Sequence, residues 1–256
     1  MHEAAYAALG LSDCRYQRLP VPPELFTETV RALPGAGFAG ANVTIPHKEA
    51  ALALADEATT VAREIGAANT LAFAGGRIRA ENTDGPGLLA ALAEAAGGAQ
   101  PAAGARALVL GAGGSARAAV WALRHAGAAE VMVWNRTPAR ARELGAALGA
   151  RAVSDVQPAD LLVNCTSVGL DDPDQTFKDL PLFADTVGVF SYVIDLVYRD
   201  GDTALVQAAQ RRGVATVSGI DVLVHQGALS LQTWLGRPGP IGAMREGALT
   251  LPGTPT

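Results

Sequence analysis

The chain reads as an α/β protein of two domains, and three observations carry that reading. From Arg106 to Gly219 short apolar runs alternate with stretches of helical periodicity, the order of a parallel, doubly wound sheet with helices on both faces. At the head of this region Ala107-Leu108-Val109-Leu110 breaks at Gly111-Ala112-Gly113-Gly114-Ser115-Ala116 and resumes with helical spacing at Ala118-Ala119-Val120-Trp121. The flanking segments mix short helices with a hairpin instead. The expected division is therefore a Rossmann-type domain over residues 85–219 and a discontinuous α/β domain over 1–84 plus 220–256, with a cleft between them.

Taken in order, Met1 to Gly10 reads as a helix with Ala4, Ala5, Ala8 and Leu9 on one face. Cys14 to Val21 has the alternation of a short strand. Pro22-Pro23-Glu24 opens a helix with Leu25, Phe26, Val30 and Leu33 apolar, closed by Pro34-Gly35. Phe38 to Ile45 reads as a strand stopped by Pro46, and a helix follows through Ala55. Leu71–Phe73 and Arg77–Arg79 flank Gly75-Gly76 as a hairpin. A helix runs from the Asn82-Thr83-Asp84-Gly85 block to about Ala96. Strands are then expected at Ala107–Leu110, Val131–Trp134, Ala152–Val153, Leu161–Cys165, Val193–Leu196 and Ala215–Val217, and a last helix at Val222–Trp234. Residues 251–256 carry turn formers and are expected to be disordered.

Composition excludes several functions. At 256 residues and 49% hydrophobic the chain can bury a sizeable core, while a formal charge of −5 leaves no basic footprint for nucleic acid or anionic membrane. No apolar run reaches membrane-spanning length and no signal peptide opens the chain. Cys14 and Cys165 are too few for a disulfide framework, so reduced, buried thiols in a cytoplasmic protein are expected. No metal-ligand cluster stands out.

The glycine turn has chemistry of its own. Gly111 permits the tight turn, Gly113 lets the backbone approach a pyrophosphate, and Ala116 lets the helix lie close to the strand. Gly114 and Ser115 open that helix, whose free N–H groups favour phosphate charge. The second strand ends in Asn135-Arg136-Thr137, where an NAD site would usually carry a carboxylate for the ribose hydroxyls. Arg136 instead offers a charged fork, Asn135 and Thr137 offer hydrogen bonds, and Arg140 lies one helical turn on. The pattern favours NADP(H).

Lysine is scarce, with only Lys48 and Lys178. Lys48 closes Asn42-Val43-Thr44-Ile45-Pro46-His47-Lys48 at a helix start, where cations are disfavoured. It can project into a cleft, partly desolvated, as a proton-exchanging group. A surface lysine reads the same way. Asp84 can equally be a helix N-cap, Asn69 a turn residue, and Gln226 an exposed helix former, while His47 and His225 read as structural.

Together these blocks resemble the shikimate dehydrogenase family over nearly the whole chain. The matching blocks are Asn42–Lys48, Gly66-Ala67-Ala68-Asn69-Thr70, Asn82–Gly85, Gly111–Gly114, Asn135–Thr137, Asn164-Cys165-Thr166-Ser167-Val168-Gly169 and Gly219–Gly227. The resemblance implies NADP-linked interconversion of 3-dehydroshikimate and shikimate in aromatic amino-acid biosynthesis. It makes Lys48 and Asp84 the catalytic pair, has Thr44, Asn69 and Gln226 bind ring hydroxyls, and sets Tyr198 near the substrate carboxylate. The nicotinamide falls near Thr166, Gly169 and Gly219. A monomer or homodimer is expected.

Three departures stand out. The family usually opens with a strand and a serine-bearing loop before a block like Met1–Tyr6, where this chain begins, so poor or no shikimate binding is expected even where NADP binding survives. Asp200 stands where the family usually has Pro, and Glu3 where it has Asn. The alternatives are a quinate or aminoshikimate dehydrogenase, or a silent NADP-binding homologue.

Overall fold

In the computed structural model the described residues are 1–172, 175–199 and 201–250, so the expectations for Asp200 and for the 251–256 tail fall outside them. The chain forms two compact units, residues 1–84 with 224–256 and residues 85–223. The division falls after Leu223 rather than after Gly219, because Val222 packs into the core of the second unit.

The first unit opens with helix α1 (His2–Ala8) and, after a 3-10 turn over Pro23–Leu25, α2 (Phe26–Ala32). Strand β1 (Gly40–Asn42) leads to α3 (Lys48–Leu54), β2 (Glu57–Ala58) and α4 (Thr60–Ile65). Thr59 caps α4 by accepting from the Ala62 N–H at 3.2 Å. The hairpin β3 (Thr70–Ala74) and β4 (Arg77–Glu81) completes a sheet of order β1-β3-β4-β2. Phe26, Val30, Leu54, Leu71 and Ile78 form its core.

Four expectations fail. No strand forms over Cys14–Val21, which is mostly exposed: Pro20 and the following Pro22 and Pro23 withhold donors, and alternation without a hydrogen-bonding neighbour does not make a strand. The expected Phe38–Ile45 strand narrows to Gly40–Asn42, since only those residues pair with β3 and the Thr44 carbonyl accepts from the His47 N–H in a turn. Leu25 is exposed rather than packed. Nor are the thiols buried: Cys14 and Cys165 form no disulfide and are half-buried, and Cys14 lies outside any strand.

The second unit opens with α5 (Asp84–Ala95), whose first residue still belongs to the first unit. It then runs β5 (Arg106–Leu110), α6 (Gly114–His125), β6 (Glu130–Trp134), α7 (Pro138–Leu148), β7 (Arg151–Ala152), β8 (Leu161–Asn164), α8 (Thr176–Asp179), β9 (Tyr192–Asp195), α9 (Ala204–Gln210) and β10 (Ala215–Val217). Helix α10 (Gly219–Leu235) leads back to the first unit, where α11 (Ile241–Leu249) ends the described chain.

The sheet is all parallel, in the order β10-β9-β8-β5-β6-β7. Both faces are buried, so successive residues feed opposite cores. Val109, Val131, Val163 and Ile194 join the core with α5, α6 and α7, whereas Leu108, Met132, Leu162 and Val193 join the one with α9. Connections leave β5 for β6 on one side, and the order reverses between β5 and β8. Ligands of such sheets bind beyond the strand ends at that reversal.

Candidate active site

Lys48 heads α3 and Asp84 heads α5. Their side chains are 10% and 18% exposed, and Lys48 Nζ donates to Asp84 Oδ2 at 2.7 Å. A partly buried ion pair needs further hydrogen bonds to offset its desolvation. Asp84 Oδ1 obtains one from Asn69 Nδ2 at 2.9 Å, and the Asp84 N–H donates to Asn82 Oδ1 at 3.0 Å. Asn82 in turn donates to the Ala67 carbonyl at 2.8 Å, which fixes the turn from which α5 starts.

Asn69 is 3% exposed, and its orientation is set from both ends of the amide. The Oδ1 accepts from the Thr83 N–H at 2.7 Å, leaving Nδ2 to face Asp84 Oδ1 and, at 3.0 Å, Gln226 Oε1. Beneath this triad lies a buried hydroxyl cluster. Ser230 Oγ lies 2.8 Å from Thr70 Oγ1 and 3.1 Å from Thr83 Oγ1, and it accepts from Asn42 Nδ2 at 2.9 Å. Asn42 Oδ1 accepts from the Tyr16 hydroxyl at 3.0 Å. Five chain segments thus converge on one polar knot in a low-dielectric setting, where satisfied hydrogen bonds are strong and lost ones costly.

The first unit therefore brings together Lys48, Asp84, Asn69 and Gln226. Thr44 is exposed and its side chain takes no part in the network. Tyr198 belongs to the second unit and is half exposed. His47 is structural, as expected: its Nε2 lies 2.8 Å from the Val21 carbonyl and its ring stacks on Phe26 with centroids 4.4 Å apart. Ser230, Thr83, Thr70 and Asn42 were not singled out by sequence reasoning. The one signal for Ser230 is its spacing, one helical turn beyond Gln226 on α10.

In the second unit the glycine turn has the expected form. Gly111 takes φ +109°, and a Cβ there would crowd the Cys165 carbonyl oxygen at 3.1 Å, so only glycine fits between β5 and the loop after β8. A Cβ on Gly113 would instead enter open space in front of α6. That helix spans 12 residues and its N-cap makes no side-chain hydrogen bond. Ala112, Gly114 and Ser115 complete the half-buried turn, and Ala116 is fully buried against the core.

At the end of β6, Asn135 Nδ2 donates to the Thr137 carbonyl at 3.0 Å, and Thr137 is the N-cap of α7 without a side-chain bond. Arg136 and Arg140 are exposed and enter no ion pair among the described residues. Thr166 and Gly169 lie in the loop after β8. Gly219 starts α10, where a Cβ would run into the Val197 carbonyl, which gives this glycine a packing reason of its own.

Comparison with known proteins converges on one family. The substrate-binding-domain model of shikimate dehydrogenase matches residues 1–71, the shikimate/quinate 5-dehydrogenase model residues 92–167, and the shikimate 5'-dehydrogenase C-terminal-domain model residues 219–248. The NADP(+) shikimate dehydrogenase of Methylobacterium radiotolerans is 48% identical over 90% of this chain and 84% of its own length. That of Thermus thermophilus is 45% identical over 97% and 91%. Among solved structures, a Thermus thermophilus shikimate 5-dehydrogenase in complex with NADP(H) and shikimate superposes with a TM-score of 0.84 at 41% identity, covering 96% of this chain and 91% of that one. Aquifex aeolicus shikimate dehydrogenase gives 0.85 at 29% identity, over 98% and 91%.

Proposed function

The chain belongs to the shikimate dehydrogenase family, and from that premise we propose how its residues carry out the NADP-dependent interconversion of 3-dehydroshikimate and shikimate, a step of aromatic amino-acid biosynthesis. The observation that carries the reading is the Lys48–Asp84 pair, held at 2.7 Å beside the fixed amide of Asn69. Reduction of a ketone places negative charge on oxygen, and a positioned acid must neutralise it. Lys48 gives that oxygen a proton from Nζ and recovers one in the oxidation of shikimate. Asp84 aims the ammonium and holds its charge while the proton moves. Asn69 and Gln226 bind ring hydroxyls, with Thr44 and Tyr198 as further substrate contacts. A polyol ring needs several such partners, since each buried polar group left unpaired costs about 1–3 kcal/mol.

The second unit's residues fit NADP(H), which supplies the hydride when bound. The open space before Gly113 admits a phosphate to the uncapped start of α6, lined by Gly111, Ala112, Gly114 and Ser115. Asn135, Arg136, Thr137 and Arg140 gather at the end of β6 without any carboxylate to repel a 2′-phosphate. Thr166, Gly169 and Gly219 serve the nicotinamide side. A cytoplasmic monomer or homodimer accompanies this reading, to be checked by sedimentation and cell fractionation. No helix among the described residues is long and apolar enough to cross a membrane.

The test is absorbance at the NADPH band on mixing protein with shikimate and NADP, with NAD and quinate as controls. Turnover confined to shikimate with NADP is the expected result. Preferential turnover of quinate would overturn the substrate assignment, and NADP binding without turnover would overturn the catalytic one.

A further inference from the structure

One buried carboxylate is not used by the chemistry above. Asp195 ends β9, is fully buried, and enters no ion pair among the described residues. Register pairs it with Asn164 at the end of β8, and that asparagine is fully buried too. Both oxygens of the carboxylate are engaged. Oδ1 accepts from Asn164 Nδ2 at 2.9 Å and from the Val197 N–H at 3.1 Å, and Oδ2 accepts from Thr203 Oγ1 at 2.6 Å.

Each partner passes the constraint on. Asn164 Oδ1 accepts from the N–H and the hydroxyl of Thr166, at 3.1 and 2.7 Å, and Thr166 Oγ1 accepts from the Val168 N–H at 3.1 Å. Thr203 Oγ1 also caps α9 by accepting from the Val206 N–H at 3.2 Å. Burial pushes the Asp195 carboxyl above its usual range, against the pull of the Thr203, Val197 and Asn164 hydrogen bonds. An unpaired buried carboxylate is a costly way to join two strands that already share a ladder. What it adds is the shape of the loop after β8, whose start sits beside Gly111 at the reversal of strand order.

We propose that Asp195 is a positioning residue for cofactor binding: through Asn164 it holds Thr166 and the loop after β8 in the form that receives the cofactor, with Thr203, the N-cap of α9, as the anchor. The proposal rests on the assignment of Thr166 and Gly169 to the cofactor. It predicts a split that a merely structural carboxylate would not give.

The experiment is NADP titration of the folded Asp195→Asn variant by protein fluorescence, together with separate KM values for NADP and shikimate. The dissociation constant and KM for NADP are expected to rise about tenfold, the scale of one or two charge-assisted hydrogen bonds, with the shikimate KM within about twofold of the parent. An NADP constant unchanged in folded protein overturns the proposal, as does a parallel rise in both KM values. Should Asp195→Asn not fold, Thr203→Val is measured in its place. A weakened NADP constant restored in Thr203→Ser supports the proposal, and an unchanged one sinks it. If the parent protein itself binds no NADP, the cofactor assignment fails instead, which the same titration shows first.

Discussion

At the residue scale the site depends on what surrounds two charges. Lys48→Ala leaves Asp84 partly buried without its cation and removes the acid. Turnover should fall about a hundred- to ten-thousandfold, while NADP affinity by fluorescence titration stays within about twofold. A matching loss of cofactor binding would remove Lys48 from the chemistry. Arg136 belongs to a different interaction, since it is exposed and outside any ion pair among the described residues. Arg136→Ala should raise the KM for NADP about tenfold or more, the scale of a hydrogen bond to a charged group, and leave that for NAD unchanged. Equal effects on both cofactors would show that the guanidinium does not read the 2′-phosphate. Lys48 and Asp84 were legible because ionisable groups stood where strand or turn gives way to helix. The partnership between them came from the family resemblance alone, since on their own residues Lys48 has a surface reading and Asp84 a capping one until their 2.7 Å contact is seen.

Among the elements, strands buried on both faces were the easiest to read. Leu108 and Val109 supply opposite cores, so apolar runs of four or five residues mark β5, β6 and β8 to within a residue. Cys14–Val21 misled for the opposite reason, because alternation says nothing about whether a neighbouring edge exists. Ser230 had only its spacing from Gln226 to mark it: a hydroxyl in an apolar helix reads as a solvated position, yet it is fully buried and ties α10 to the hairpin and to the start of α5. Ser230→Ala leaves buried hydroxyls short of a partner. Its urea midpoint should drop by the equivalent of about 1–3 kcal/mol, with the shikimate KM raised severalfold as Gln226 and Asn69 lose register. A lower midpoint with an unaltered KM would confine Ser230 to stability.

For the whole molecule, a buried imidazole couples folding to pH. His2 is 4% exposed, stacked on Tyr16 with centroids 4.3 Å apart, and its Nδ1 has no hydrogen-bond partner. Burial lowers its pKa to about 4. Between the unfolded value near 6.5 and about 4 the unfolded chain binds the extra proton, so stability falls as pH drops through that window and levels off below it. The full effect is on the order of 3 kcal/mol. Urea midpoints from pH 7.5 to 4.5 should show this slope in the parent and lose it in His2→Phe, which keeps the ring stack. An identical slope in both would assign the pH dependence to other groups.

The discontinuity of the first unit has a consequence in time. The polar knot joins Thr83 to Gln226 across 143 residues of chain. During synthesis Lys48 and Asp84 are therefore made early, while the helix that completes their surroundings arrives only after the entire parallel sheet has been translated. Until then the growing polypeptide holds a lysine and an aspartate with no finished pocket around them. On the proposed roles, the surroundings of Lys48 and Asp84 are complete only once α10 has been made.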